Sequence, residues 1–264
     1  MAIPRRFVRV NRSQTLLALN LLLLVSVILP AQLSRAAEPS PTPDLVFLLI
    51  GQSNMAGRAS LADSDSKALP NVMLLDNRNR WIPATNPLNR FASDRKKLSM
   101  QRVGPGDGFA RRLSQALPAK QIGLVVNARG GSSINEWAKG KPLYDNTIKR
   151  VQAIPNIPLA GIIWHQGESD REDPRYHDKL AKLIKNLRAD VAKPKVPFIA
   201  GEIYGKGHVN DVFRRLPAKI PHTGFASSEN LAVFDKVHFD RKSQQILGAR
   251  YADVYLRLSG HKPR

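Results

Sequence analysis

Short apolar runs alternate along this chain with polar stretches of helical period. The runs at 45–50, 72–75, 122–127, 161–165 and 198–203 are continuous and rich in Val, Ile and Leu. Runs without polar alternation predict strands of a parallel sheet that is covered on both faces. Between them, the spacing predicts helices over 108–117, 144–153 and 174–191. In the last of these, Leu180, Leu183, Ile184, Leu187 and Val191 fall on one face. A final helix is predicted over 241–258, carrying Ile246, Leu247, Tyr251, Val254 and Leu258. This alternation implies an α/β fold, with helices on both sides of a parallel sheet and right-handed crossovers between strands. The segment 77–105 is long, polar and irregular, which predicts a surface loop near the ligand-binding rim.

The N-terminus has a different pattern. Arg5, Arg6, Arg9 and Arg12 precede an apolar block at 16–29, then Pro30 and a small-residue segment around Ala36. That order predicts a secretory signal peptide over 1–36, and hence a secreted or periplasmic (cell-envelope) protein. A retained membrane anchor is the alternative, although Asn20 interrupts the block and a span needs about 20 apolar residues. With the signal removed, no stable membrane span is expected. Residues 37–43 form a proline-rich linker. The chain contains no cysteine, so a lipid-modified cysteine and disulfides are both excluded. An exported domain must then be held together by its core.

Charge narrows the partners. The chain carries 41 Lys plus Arg against 21 Asp plus Glu, a net +20. Loss of residues 1–36 removes five arginines and no acid, leaving +15. The excess favours anionic polymers as surroundings. The basic residues are dispersed and have few aromatics between them, so no nucleic-acid partner is expected.

The candidate chemistry lies just after the strands, where open parallel sheets bind ligands. GQSNMAG at 51–57 puts Ser53 on a small-residue turn directly after the first apolar run. A serine hydroxyl needs a neighbouring base to act as a nucleophile. His238 is the candidate base, and Asp235, three residues earlier, is the candidate acid that orients it. Glu168 and Glu202 also follow strands and are alternative acids. Oxyanion donors are expected from the Ser53 backbone N–H, a Gly130 or Gly131 N–H, and a side-chain amide from Gln166 or Asn54. No lysine follows Gly130-Gly131 in the pattern of a phosphate-binding loop. His165 and Glu168 lack a third ligand at convincing spacing for a metal. His165 reads instead as a buried, hydrogen-bonded strand end, and Trp164 and Phe198 as core. Trp137 is open between core and substrate platform. Arg58 and Arg129 flank the site blocks and are either solvated or ligands for an acidic sugar.

The blocks GQSNMAG, GGSSINEW, GIIWHQGESD and DKVHFD together resemble the SGNH (GDSL-like) hydrolase superfamily. More narrowly, they are similar to its carbohydrate acetylesterase branch, which includes acetylxylan esterases and sialate O-acetylesterases. The resemblance implies a flavodoxin-like three-layer α/β/α sandwich with about five parallel strands, spanning 44–260 as one esterase domain. It implies Ser53 as nucleophile, His238 as base, and oxyanion donors from Ser53, the Gly130-Gly131 turn and Gln166. The expected function is removal of O-acetyl groups from an acetylated glycan, with no metal and no organic cofactor. Alternatives are an esterase or lipase on small acyl or lipid esters, a non-catalytic glycan-binding accessory protein, and acetyl transfer to another sugar.

Overall fold

The computed structural model describes Ala2 and residues 42–261; the expected signal peptide (1–36) and most of the linker (37–43) lie outside the described residues. In β1 (Leu45–Gly51), Val46, Leu48 and Ile50 enter one apolar layer, while Phe47 and Leu49 enter the other. Both faces are buried, which is why the run has no polar position. The other strands are β2 (Val72–Leu75), β3 (Trp81–Pro83), β4 (Ile122–Ala128), β5 (Leu159–His165), β6 (Phe198–Gly201) and β7 (Thr223–Ala226). They form one sheet in the order β3-β2-β4-β1-β5-β6-β7. Every pairing is parallel except β2 with β3.

The helices are α1 (Ser53–Ala56), α2 (Pro105–Ala116), α3 (Pro142–Gln152), α4 (Tyr176–Asp190), α5 (His208–Lys219) and α6 (Arg241–Leu258). The apolar sides of α3, α4 and α5 cover one face of the sheet, and those of α2 and α6 cover the other. Helices α2 and α6 meet backbone to backbone at Gly108 and Gly248. A Cβ on Gly248 would lie 2.5 Å from the Phe109 nitrogen. The Asp240 carboxylate accepts from the Ser243 N–H at 2.7 Å and caps α6, a contact of about 1 kcal/mol. No helix among the described residues is long and apolar enough to cross a membrane.

The sheet has seven strands rather than about five. The additional β3 and β7 are its edges, and both are short. The sequence TGFA of β7 has one large apolar residue, and β3 is too short for any period to register. Helix α5 was detectable: Val209, Val212, Phe213 and Leu216 make a one-face pattern, which Pro217 in the last turn obscures. The segment 77–105 is not simply a surface loop. It contains β3, and it buries Asn89 and Gln101 against the end of β4. The Asn89 amide donates to the Ala128 carbonyl and its oxygen accepts from the Ala128 N–H. A largely polar segment is thus anchored by hydrogen bonds as well as by burial of Trp81, Ala84, Leu88 and Val103.

Candidate active site

The register brings the site together. Gly51, the last residue of β1, pairs with Ala128 on one side and His165 on the other. The residues that follow these strand ends therefore meet at one rim: Gln52-Ser53-Asn54, Arg129-Gly130-Gly131 and Gln166-Gly167-Glu168. Gly51 has φ +139, and a side chain there would run into the His165 carbonyl oxygen. Only glycine allows the chain to turn this closely against β5.

Ser53 opens α1 and is 7% exposed. Its Oγ lies 2.9 Å from His238 Nε2, although the two residues are 185 positions apart. His238 Nδ1 lies 2.6 Å from Asp235 Oδ2. The other Asp235 oxygen accepts the N–H groups of Val237 and His238 at 2.8 and 2.7 Å, which fixes the loop that holds the imidazole. Desolvation pushes the Asp235 carboxyl upward, but the ring and backbone donors outweigh it and bring it down from 3.8 to about 2. A carboxylate at Nδ1 requires that nitrogen to carry the proton, leaving Nε2 free to accept from the serine hydroxyl.

Glu168 and Glu202 do not reach this imidazole. Glu168 is buried and accepts from Asn54 Nδ2 at 2.6 Å, with His165 Nε2 at 3.6 Å. Desolvation raises its carboxyl, yet the His165 and Asn54 contacts leave it below the usual carboxylate range. Glu202 lies 2.6 Å from Arg214 Nε and accepts from Ser228 N–H.

The expected oxyanion donors separate into two groups. Gly130 lies against Ser53, since a Cβ on it would come within 3.5 Å of Ser53 Cβ. The N–H groups of Ser53, Gly130 and Gly131 have no protein acceptor among the described residues. Gly131 is exposed and turns the chain with φ +76. Gln166 departs from the expectation. It is fully buried, and its Nε2 faces Gln52 Oε1 at 3.1 Å, Ser132 O at 3.0 Å and Asp170 Oδ2. With two N–H groups among three acceptors, the amide ties loops together and has no donor left for a substrate. Asn54 is likewise engaged. Its Nδ2 donates to Glu168 and to the Val237 carbonyl, and its Oδ1 accepts from Phe239 N–H and Gln244 Nε2. Sequence reading saw Asn54 as an amide near the nucleophile but not as a joint between four segments.

The remaining candidates are placed as follows. His165 is buried and pairs with the Tyr251 hydroxyl at 2.9 Å. Trp164 and Phe198 are core, and so is Trp137, which stacks edge-on against Trp164 at 5.3 Å. Arg58 donates to the Gly57 and Met100 carbonyls and has Nη2 beside Gly130. Arg129 donates to the Asp94 carbonyl. Among the described residues, no group of three or more His, Cys, Asp or Glu side chains is placed to hold a metal ion.

Comparison with known proteins identifies the family. A family profile described as "Carbohydrate esterase, sialic acid-specific acetylesterase" matches residues 43–257. The Arabidopsis thaliana protein named "Probable carbohydrate esterase At4g34215" is 32% identical over 244 residues, covering 83% of this chain and 92% of that protein. The X-ray structure of Arabidopsis thaliana protein AT4G34215 superposes with a TM-score of 0.73 at 30% identity, over 82% of this chain and 99% of that one. NanS superposes with a TM-score of 0.65 at 17% identity, over 83% and 99% of the two chains. XAC1771 of Xanthomonas citri, described as a novel carbohydrate acetylesterase, has a TM-score of 0.60 at 20% identity, over 81% of this chain and 56% of that one. These last two likenesses show the shared fold alone. The profile match over most of the chain is decisive: the protein belongs to the carbohydrate esterase, sialic acid-specific acetylesterase family, whose members are carboxylic ester hydrolases.

Proposed function

We propose that the protein is an exported serine esterase that removes O-acetyl groups from a glycan. The observation that carries this reading is the continuous chain Ser53 Oγ, His238 Nε2, His238 Nδ1, Asp235 Oδ2, at 2.9 and 2.6 Å. Ser53 Oγ attacks the acetyl carbonyl while His238 Nε2 takes its proton. Asp235 stays ionised at neutral pH and stabilises the imidazolium. The tetrahedral oxyanion takes the Ser53 and Gly130 N–H groups, which have no other partner among the described residues. As the C–O bond to the sugar breaks, His238 returns its proton to the departing sugar oxygen. Water then attacks the acetyl-serine, with His238 again taking a proton, and acetate leaves as Ser53 is restored.

Removal of acetyl groups from carbohydrate is supported by the family description and by the printed names of the relatives. Export is supported by the basic, apolar and small-residue order of 1–36. Ser53→Ala is expected to abolish p-nitrophenyl acetate hydrolysis in a protein with an unchanged melting curve; undiminished turnover would falsify the mechanism. Acetate release from acetylated xylan, pectin, sialic acid and peptidoglycan identifies the glycan.

A further inference from the structure

A cavity of about 700 Å³ opens beyond the carboxyl ends of β6 and β7, within the roughly 300–1,000 Å³ span of small-molecule sites. Its lining includes Glu202 and Tyr204 after β6, Arg214 from α5, and Ser228 and Leu231 after β7. The mechanism above uses none of these residues. Glu202 is 2% exposed and lies beneath Arg214, whose guanidinium side chain is 54% exposed. Glu202 holds Arg214 Nε, and Asp211 accepts from Nη1 at 3.2 Å. Arg214 Nη2 has no protein acceptor among the described residues, so a donor is held ready at the cavity edge. Glu202 Oε1 is itself buried without an aligned hydrogen bond, an arrangement that is costly unless it serves the guanidinium above it.

The cavity lies along the same rim as Ser53, two strands away, and one of its walls leads into the loop that carries His238. His238 protonates the departing oxygen, so the sugar sits beside His238. Among the described residues, Tyr204 and Phe234 are the exposed Phe, Tyr or Trp side chains, at 37% and 57%. The Phe234 ring stacks on the imidazole at 5.9 Å and 20°. Tyr204 packs edge-on against Phe239, the residue after His238, at 6.3 Å. Residues 229–231, which form one cavity wall, begin the same loop that carries Asp235 and His238. Strand β6 is two places from β1 in the sheet, about 10 Å at the usual strand spacing. That reach suits a second sugar ring next to the acetylated one.

We infer that this cavity is a saccharide subsite, with the Tyr204 ring as stacking face and Arg214 as hydroxyl-binding donor, so that the enzyme acts on acetylated oligosaccharides in preference to single sugars. This rests on the esterase reading above. An exposed aromatic ring beside fixed polar donors suits a pyranose, whose axial C–H face is apolar and whose edge carries hydroxyls.

The test compares p-nitrophenyl acetate with an O-acetylated xylo-oligosaccharide and an O-acetylated sialyl-oligosaccharide, following whichever saccharide the wild type cleaves faster. Tyr204→Ala and Arg214→Ala are each expected to raise KM for that oligosaccharide about tenfold, as loss of a buried anchor does. The kcat/KM for p-nitrophenyl acetate should change less than about twofold, because the aryl ester does not reach the cavity. Tyr204→Phe, which keeps the ring, should retain the wild-type KM. Arg214→Lys keeps a cation over buried Glu202 while removing the free guanidinium donor; it should also raise KM for the oligosaccharide and remains informative if an alanine variant does not fold. The subsite is overturned if both substrates lose equally, if neither changes, or if the wild type hydrolyses the aryl ester and neither oligosaccharide. None of those results touches the esterase reading, which fails separately if Ser53→Ala retains aryl-ester turnover.

Discussion

Asn54 offers the most demanding check on how this site is assembled. Asn54→Ala deletes four hydrogen bonds, to buried Glu168, the Val237 carbonyl, Phe239 N–H and the Gln244 amide. The bond to the carboxylate is worth roughly 1.5–3 kcal/mol and each neutral one roughly 0.5–1.5 kcal/mol. A water molecule entering the vacated space would recover part of this, so the expected loss is about 3 kcal/mol, a large share of the 5–15 kcal/mol typical of a domain. Two of the four bonds reach the residues on either side of His238, so their loss frees the imidazole from its position over Ser53. A displacement of about 1 Å costs on the order of 100-fold in rate, and kcat should fall by about that factor. Urea unfolding followed by tryptophan fluorescence, together with kcat on p-nitrophenyl acetate, reads both quantities. The reasoning is refuted if the variant loses less than about 1 kcal/mol and keeps kcat within about threefold. Asn54→Asp should be worse than alanine, because it sets a second carboxylate 2.6 Å from Glu168 Oε1.

Asp235→Asn should lower kcat by about 10²–10⁴, since the amide no longer holds the productive tautomer; a near-normal rate in steady-state assays would remove Asp235 from the mechanism. The same carboxylate links stability to acid. Its folded-state value of about 2 lies below the ordinary 3.8, so its contribution is complete above about pH 4 and disappears as pH falls toward 2. The side chain is 41% exposed, and after screening this amounts to about 1 kcal/mol. Unfolding curves of wild type and Asp235→Asn should converge across that window, and a constant offset from pH 5 to pH 2 would contradict the assignment. Gly51→Ala, at φ +139 against the His165 carbonyl, should cost more than about 3 kcal/mol or prevent folding. A melting temperature equal to that of wild type would show that the β1 turn is not constrained.

Residue patterns within a few positions of one another carried most of the fold. The apolar run of β1, the one-face spacing of α4 and the bounds of α6 were all readable, because burial on two faces or one stripe leaves a local trace. The edges β3 and β7 left almost none, because a short strand paired on one side needs little apolar sequence. The hydrogen-bonded grouping of Ser53, His238 and Asp235 was also legible, since few hydroxyl, imidazole and carboxylate groups lie together near strand ends.

By itself, then, the sequence determined the kinds of element, the absence of disulfides, and which reactive groups were available. Only the tertiary structure decided which polar groups are engaged and which remain free. On sequence alone Gln166, Asn54, Glu168 and Glu202 are all candidates for the chemistry, yet Gln166 and Asn54 have their amide donors engaged inside the protein, Glu168 is held by Asn54, and Glu202 by Arg214 and Ser228. The physical reason is that a hydrogen-bonding group has a few fixed valences, and their occupants are set by strand order and loop packing. Those depend on contacts between segments more than a hundred residues apart, and no local pattern encodes them.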